Sequence, residues 1–199
     1  MSKRTAPRAA KIHRKTNETD VTVELGLDGG AYQVDTGVGF FDHMLDHVAR
    51  HGRLALSVSA KGDTHIDDHH TVEDVGIVLG QALEQALDDK KGIERFGFAS
   101  VPMDEALARV SIDLSGRAAL AFDVEFPGSG SKVGSFDLQL VREFLTALVQ
   151  NGRFNCHVEV PRGVNDHHVA EAIFKALGRA LRQAVAVSGD DVPSTKGVL

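Results

Sequence analysis

Apolar residues along this chain recur with two different periods. Val21, Val23, Leu25 and Leu27 alternate with other residues, the period of a half-buried strand, and Asp28-Gly29-Gly30 marks a turn before a strand-like run from Ala31 to Val34. That pattern predicts a hairpin. From Phe40 the spacing lengthens: Phe41, Met44, Leu45 and Val48 fall three and four apart, and Gly52 closes the run as a helix C-cap does. Leu54, Leu56 and Val58 return to alternation, and from Asp68 a longer helix follows with Val75, Val78, Leu79, Leu83 and Leu87 on its apolar side. The first half therefore reads strand, strand, helix, strand, helix, and ends near Lys91-Gly92.

The same order returns. Strands are predicted from Ala108 to Leu114 and from Ala119 to Phe126 around the turn Ser115-Gly116, a helix from Phe136 to Val149, a strand from Asn155 to Val160, and a helix from Asp166 to Val185. An internal duplication explains the match. The expected fold is α+β, two strand-strand-helix-strand-helix halves, each a sheet layered with helices. The halves span residues 16–92 and 93–187, with a flexible basic arm over 1–15 and a tail over 188–199.

Composition narrows the class. With 199 residues, 42% hydrophobic and 25% charged, the chain has an ordinary globular make-up, and a net charge of −6 with no basic face argues against nucleic acid as partner. The lone Cys156 cannot form an internal disulfide, and there is neither a secretory h-region nor a run long enough for a membrane span. A cytoplasmic location is expected.

The chemistry centres on a stretch that occurs twice: Asp67-Asp68-His69-His70-Thr71-Val72-Glu73-Asp74 and Asn165-Asp166-His167-His168-Val169-Ala170-Glu171-Ala172. The Asp before each apolar pattern reads as an N-cap, which places each His pair in the first turn of a helix. His69 with Glu73, four apart, then shares a face, whereas His69 and His70 diverge by about 100° and suit two separate ions. Imidazole and carboxylate without thiolate indicate zinc, manganese, iron or nickel with open positions, not a structural zinc knot. Caps and solvated surface are the bland alternative for one copy; two copies 98 positions apart favour metal. The first helix also carries His43, His47 and His51 on one face, where the second copy has Leu138, Arg142 and Thr146.

Phe41-Asp42-His43-Met44-Leu45-Asp46, Gly62-Asp63-Thr64-His65-Ile66-Asp67 running into the first His pair, Asp113-Leu114-Ser115-Gly116-Arg117, the second His-His-x-x-Glu, and Pro193-Ser194-Thr195-Lys196-Gly197-Val198-Leu199 together resemble the imidazoleglycerol-phosphate dehydratase family. The resemblance runs from about Arg14 to the C-terminus; His47 departs from it, since Gln stands there more often. It implies a hydro-lyase of histidine biosynthesis that removes water from imidazole glycerol phosphate to give imidazole acetol phosphate, with two manganese ions per active site. Metal ligands implied are His43, His69, His70, Glu73, His157, His167, His168 and Glu171. Glu18, Glu73 and Glu171 are the implied catalytic groups. Substrate contacts implied are Glu18, His43, His47, His51, His69, Glu73, Arg95, Arg117, His167, Glu171 and Lys175, with Ser194, Thr195 and Lys196 from a tail that orders over the site. Similar proteins assemble as 24-mers built from trimers, with metals held between subunits. Two rival readings use the same ligands, a dinuclear metallohydrolase and a metal-binding shell protein without turnover.

Overall fold

The computed structural model describes residues 7–128, 130–197 and 199. Its elements run β1 (Ala9–Lys15), β2 (Thr19–Gly26), β3 (Tyr32–Asp35), α1 (Gly39–Gly52), β4 (Ala55–Gly62), α2 (His69–Leu87), β5 (Phe96–Met103), β6 (Ala106–Asp113), β7 (Ala119–Asp123), β8 (Lys132–Val133), β9 (Phe136–Asp137), α3 (Gln139–Gly152), β10 (Asn155–Arg162) and α4 (Asp166–Ala184). Two four-stranded sheets result, ordered β1-β2-β4-β3 and β5-β6-β10-β7, so both halves use the same permutation of their four strands. The duplicated α+β architecture is present, with one strand more in each four-stranded sheet than the periodicity predicts and a short β8-β9 pair besides in the second half.

Val21, Val23 and Leu25 are buried on one face of β2, and the apolar positions of all four helices are buried against the sheets and each other. The helices exchange partners between halves: α1 packs on α4 and α2 on α3. Fully buried Phe41, Phe144 and Phe174 meet at this crossing, with ring centroids 5.2 and 5.5 Å apart. Close approach of the helix backbones requires glycine. A Cβ on Gly178 would lie 2.7 Å from the Val48 carbonyl, and one on Gly80 would lie 2.6 Å from the Leu148 carbonyl. Those glycines stand 98 residues apart, the offset of the His pairs.

Four expectations need correction. The arm is ordered from Ala9: β1 pairs antiparallel with β2 from Ala9↔Gly26 to Lys15↔Asp20, and two of its basic residues are paired with acids, Arg8 with Asp28 and Arg14 with Asp74. Residues 1–6 lie outside the described part. The predicted hairpin of β2 and β3 does not form, because β4 inserts between them, antiparallel to β2 and parallel to β3, with α1 as the crossover that parallel neighbours need. β7 likewise pairs in parallel with β10 and not with β6. In the second half Phe136 belongs to the short β8-β9 pair, and the helix begins at Gln139.

Cys156 is buried and free, and burial pushes its thiol up to about 12, which leaves it unreactive. Among the described residues no helix is long and apolar enough to cross a membrane.

Candidate metal centre

Helix geometry delivers the His pairs as the sequence requires, although the caps differ from expectation. Asp68 makes no side-chain cap; the Asp67 carboxylate instead accepts the His69 N–H at 2.8 Å. In α4 the cap is Asn165, whose side-chain oxygen accepts the N–H of His167 and of His168. The paired rings diverge in both places, at 85° between His69 and His70 and 82° between His167 and His168.

Packing of α1 on α4 builds the densest cluster. Glu171, only 6% exposed, receives His167 Nε2 at 3.1 Å and His43 Nε2 at 3.4 Å on Oε2, and His47 Nε2 at 3.4 Å and Lys175 Nζ at 2.5 Å on Oε1. His43, His47 and Glu171 offer donor atoms all within 4.8 Å of one another, a spacing compatible with one metal ion. Burial drives His47 down to about 4, so its ring is neutral at neutral pH. For Glu171 burial opposes ionisation, but the Lys175 hydrogen bond and the neighbouring imidazoles outweigh it and hold the carboxyl down to about 2. His51 continues the row, its ring 5.7 Å from that of His47, and burial lowers its pKa as well.

The first-half pair is more open. His69 Nε2 stands 3.8 Å from Glu73 Oε2, on the shared face that four-residue spacing predicts. His70 Nδ1 lies 3.0 Å from Asp63 Oδ2 and 3.9 Å from exposed Glu18 Oε2, and the Asp63 hydrogen bond raises the His70 pKa. His168 has a matching carboxylate: its Nδ1 lies 2.8 Å from Glu105 Oε2, which raises His168 and helps hold Glu105 down to about 2. His157 is exposed on the outer face of its sheet, between Ser111 and Ala121.

The cationic residues gather at the other end of the second sheet. Arg95 pairs with Asp113 at 2.6 Å and donates to the Pro193 carbonyl at 2.9 Å, which ties the tail to the start of β5. Asp191 and Ser188 bond to the Gly92 main chain. Arg117 is exposed in the turn after β6, its carbonyl accepting from Asn155 at 2.7 Å, and Arg153 Nε donates to the neighbouring Gly116 carbonyl at 3.3 Å. Ser194 is half-buried, and Thr195 and Lys196 are exposed. Arg95 N–H bonds to the Ala184 carbonyl at the last turn of α4, thirteen residues and so about 20 Å of helix from Glu171. Within one chain the described residues of the tail therefore do not reach the chain's own Glu171 cluster.

A family model described as imidazoleglycerol-phosphate dehydratase matches residues 36–181. The chain belongs to the imidazoleglycerol-phosphate dehydratase family. The imidazoleglycerol-phosphate dehydratase of Desulforamulus reducens is 60% identical over 195 residues, covering 96% of this chain and 98% of that one. That of Ruegeria pomeroyi is 56% identical over 196 residues, covering 96% and 100%. Among solved structures, the imidazoleglycerol-phosphate dehydratase of Staphylococcus aureus superposes with a TM-score of 0.82 at 42% identity, covering 90% of this chain and 99% of that one. The Pyrococcus furiosus protein, in complex with (S)-C348, gives 0.83 at 37% identity, covering 94% and 100%. As a dehydratase of this family the chain is a hydro-lyase of histidine biosynthesis. Two carboxylates beyond the site residues named from the sequence stand against the second histidine of each pair, Asp63 at His70 and Glu105 at His168, contacts that become visible only in three dimensions.

Proposed function

We propose that this chain removes water from imidazole glycerol phosphate to give imidazole acetol phosphate, as a manganese-dependent enzyme of the cytoplasm. The observation that carries this reading is the convergence of His43, His47, His167 and Lys175 on the buried Glu171 carboxylate, together with a separate, open His-Glu pair at the start of α2. The donor set fits a divalent ion: neutral imidazole and ionised carboxylate, with no thiolate, suit manganese and similar metals. His43, His69, His70, Glu73, His157, His167, His168 and Glu171 would hold two ions.

The hydrogen to be removed sits on a carbon with no adjacent carbonyl, so the electrons it leaves need another sink. Bound metal would supply Lewis acidity toward an imidazole nitrogen and a hydroxyl of the substrate. The chain's own groups do the rest. Glu18 is exposed and stands beside His70, a position from which a carboxylate can take or return a proton at the substrate carbon. His47 and His51 extend the row of imidazoles along α1 as substrate contacts, and Lys175 keeps Glu171 ionised. Arg95, Arg117 and Lys196, with the Ser194 and Thr195 hydroxyls, are the groups suited to a phosphate.

Arg95 is bonded to the end of α4 about 20 Å of helix from Glu171, and the two His pairs sit on different helix pairs. A complete site therefore draws on more than one copy of the chain, and a 24-subunit assembly built from trimers supplies the copies. The reading is tested by chelating the purified protein, reloading it with Mn2+, and assaying imidazole glycerol phosphate. A new carbonyl without phosphate release supports it. Phosphate release favours a metallohydrolase, and metal uptake without turnover favours a binding shell.

A further inference from the structure

His70 and His168 occupy the second place of the two His pairs, and each has its Nδ1 against a carboxylate from outside its own helix. Asp63, in the loop after β4, stands 3.0 Å from His70 Nδ1. Glu105, in the turn between β5 and β6, stands 2.8 Å from His168 Nδ1. An ionised carboxylate only accepts, so the hydrogen resides on Nδ1 in both rings, and the lone pair of the neutral imidazole is left on Nε2. Glu105 is itself fixed, since its Oε1 accepts the N–H of Val164 at 3.1 Å and of Asn165 at 2.8 Å. Asn165 in turn caps the helix that bears His168.

The two supports are not inherited copies of each other. In the matching hairpins β1-β2 and β5-β6, Glu18 and Glu105 each stand one residue before the second strand, and Glu18 lies 3.9 Å from His70 Nδ1. Asp63, the nearer carboxylate on His70, follows β4, and the residue that follows β10 in its place is Gly163, so His70 is held most closely from a position that carries no carboxylate in the second half.

We propose that Asp63 and Glu105 are positioning residues that hold His70 and His168 as Nδ1–H tautomers and aim Nε2 at a divalent cation. This rests on the metal-binding reading of the two His pairs. Carboxylates placed in this way orient imidazole ligands and raise their basicity. Neither residue touches substrate; each acts through its histidine.

Glutamine at position 105 separates this role from a merely structural one. In Glu105→Gln the carbonyl can keep the Val164 and Asn165 N–H groups while the amide NH2 turns to Nδ1, which must then accept, so the ring hydrogen moves to Nε2. Asp63→Asn retains an oxygen able to accept and loses only the charge. In equilibrium dialysis of the full-length, metal-stripped protein against Mn2+, Glu105→Gln is expected to weaken one class of site by about 10- to 100-fold. Asp63→Asn is expected to weaken binding less, and at a pH above the raised values of both histidines, where their ion pairs no longer contribute, both variants should melt like the wild type when metal-free. Unchanged Mn2+ affinity in Glu105→Gln overturns the proposal, and so does a loss matched by a drop in the metal-free melting temperature, which marks a loop staple. Failure of the wild type to bind Mn2+ at all overturns the metal reading, and this inference with it.

Discussion

Glu171→Gln removes one charge from the centre of the cluster and almost none of its volume. Lys175 Nζ lies 2.5 Å from the carboxylate, the two side chains are 17% and 8% exposed, and three imidazole nitrogens stand within 3.4 Å. Deleting one partner of a buried pair costs about 3–5 kcal/mol, but glutamine keeps an acceptor for Lys175, so a charged hydrogen bond worth about 2 kcal/mol is the better measure. For a chain of this length each kcal/mol moves the midpoint by about 2–4 °C, giving a fall of about 4–8 °C in the metal-free protein. Mn2+ at a hundredfold excess over its dissociation constant stabilises the wild type by about 2.7 kcal/mol, and most of that gain should vanish in the variant. Thermal melts followed by circular dichroism, with and without Mn2+, measure both effects. A metal-free shift under about 1 °C together with an undiminished Mn2+ response would refute the reasoning.

Gly178→Ala places a methyl 2.7 Å from the Val48 carbonyl, so α1 must move away from α4; a cost of about 1–3 kcal/mol and weakened Mn2+ binding are expected in denaturation and dialysis. Deleting residues 194–199 leaves the Pro193 carbonyl on Arg95 in place, so melting should be unchanged while turnover of imidazole glycerol phosphate is lost; retained turnover contradicts the role of the tail. The pKa of His47 is lowered from 6.5 to about 4, so below pH 6.5 the unfolded chain takes up this proton first, and the metal-free protein loses stability as pH falls from 6.5 toward 4. His70 and His168 are raised, so the stability of their carboxylate pairs is full below pH 6.5 and fades as pH rises through their raised values. His47→Gln should flatten the acid part of the pH-stability curve in urea titrations, and an unaltered curve counts against this assignment.

The duplication, the four helices and the divergence of the paired histidines were legible because each is a local, periodic signal. β5 was not. On that strand Phe96 and Phe98 face outward at 57% and 56% exposure, while the inward Gly97 leaves room for the α4 main chain, where a Cβ would lie 2.0 Å from the Ala180 carbonyl. Large residues outside and small ones inside invert the pattern on which a strand reading depends. The arm was misread for a related reason: its charges look solvated in sequence, and the partners Asp28 and Asp74 lie 20 and 60 residues further on. The β2-β3 hairpin failed because β4, which displaces it, is separated from β3 by a whole helix. Glu105 serves a histidine 63 residues away, and no short-range signal connects the two.

The account stands or falls on where divalent ions sit. Crystals of the full-length protein grown with Mn2+ and measured at the manganese absorption edge should show paired anomalous peaks, one ligated by Glu73 and the other by Glu171, with His69 and His70 on different ions. Absence of anomalous signal at both His pairs, or His69 and His70 on a single ion, would contradict it.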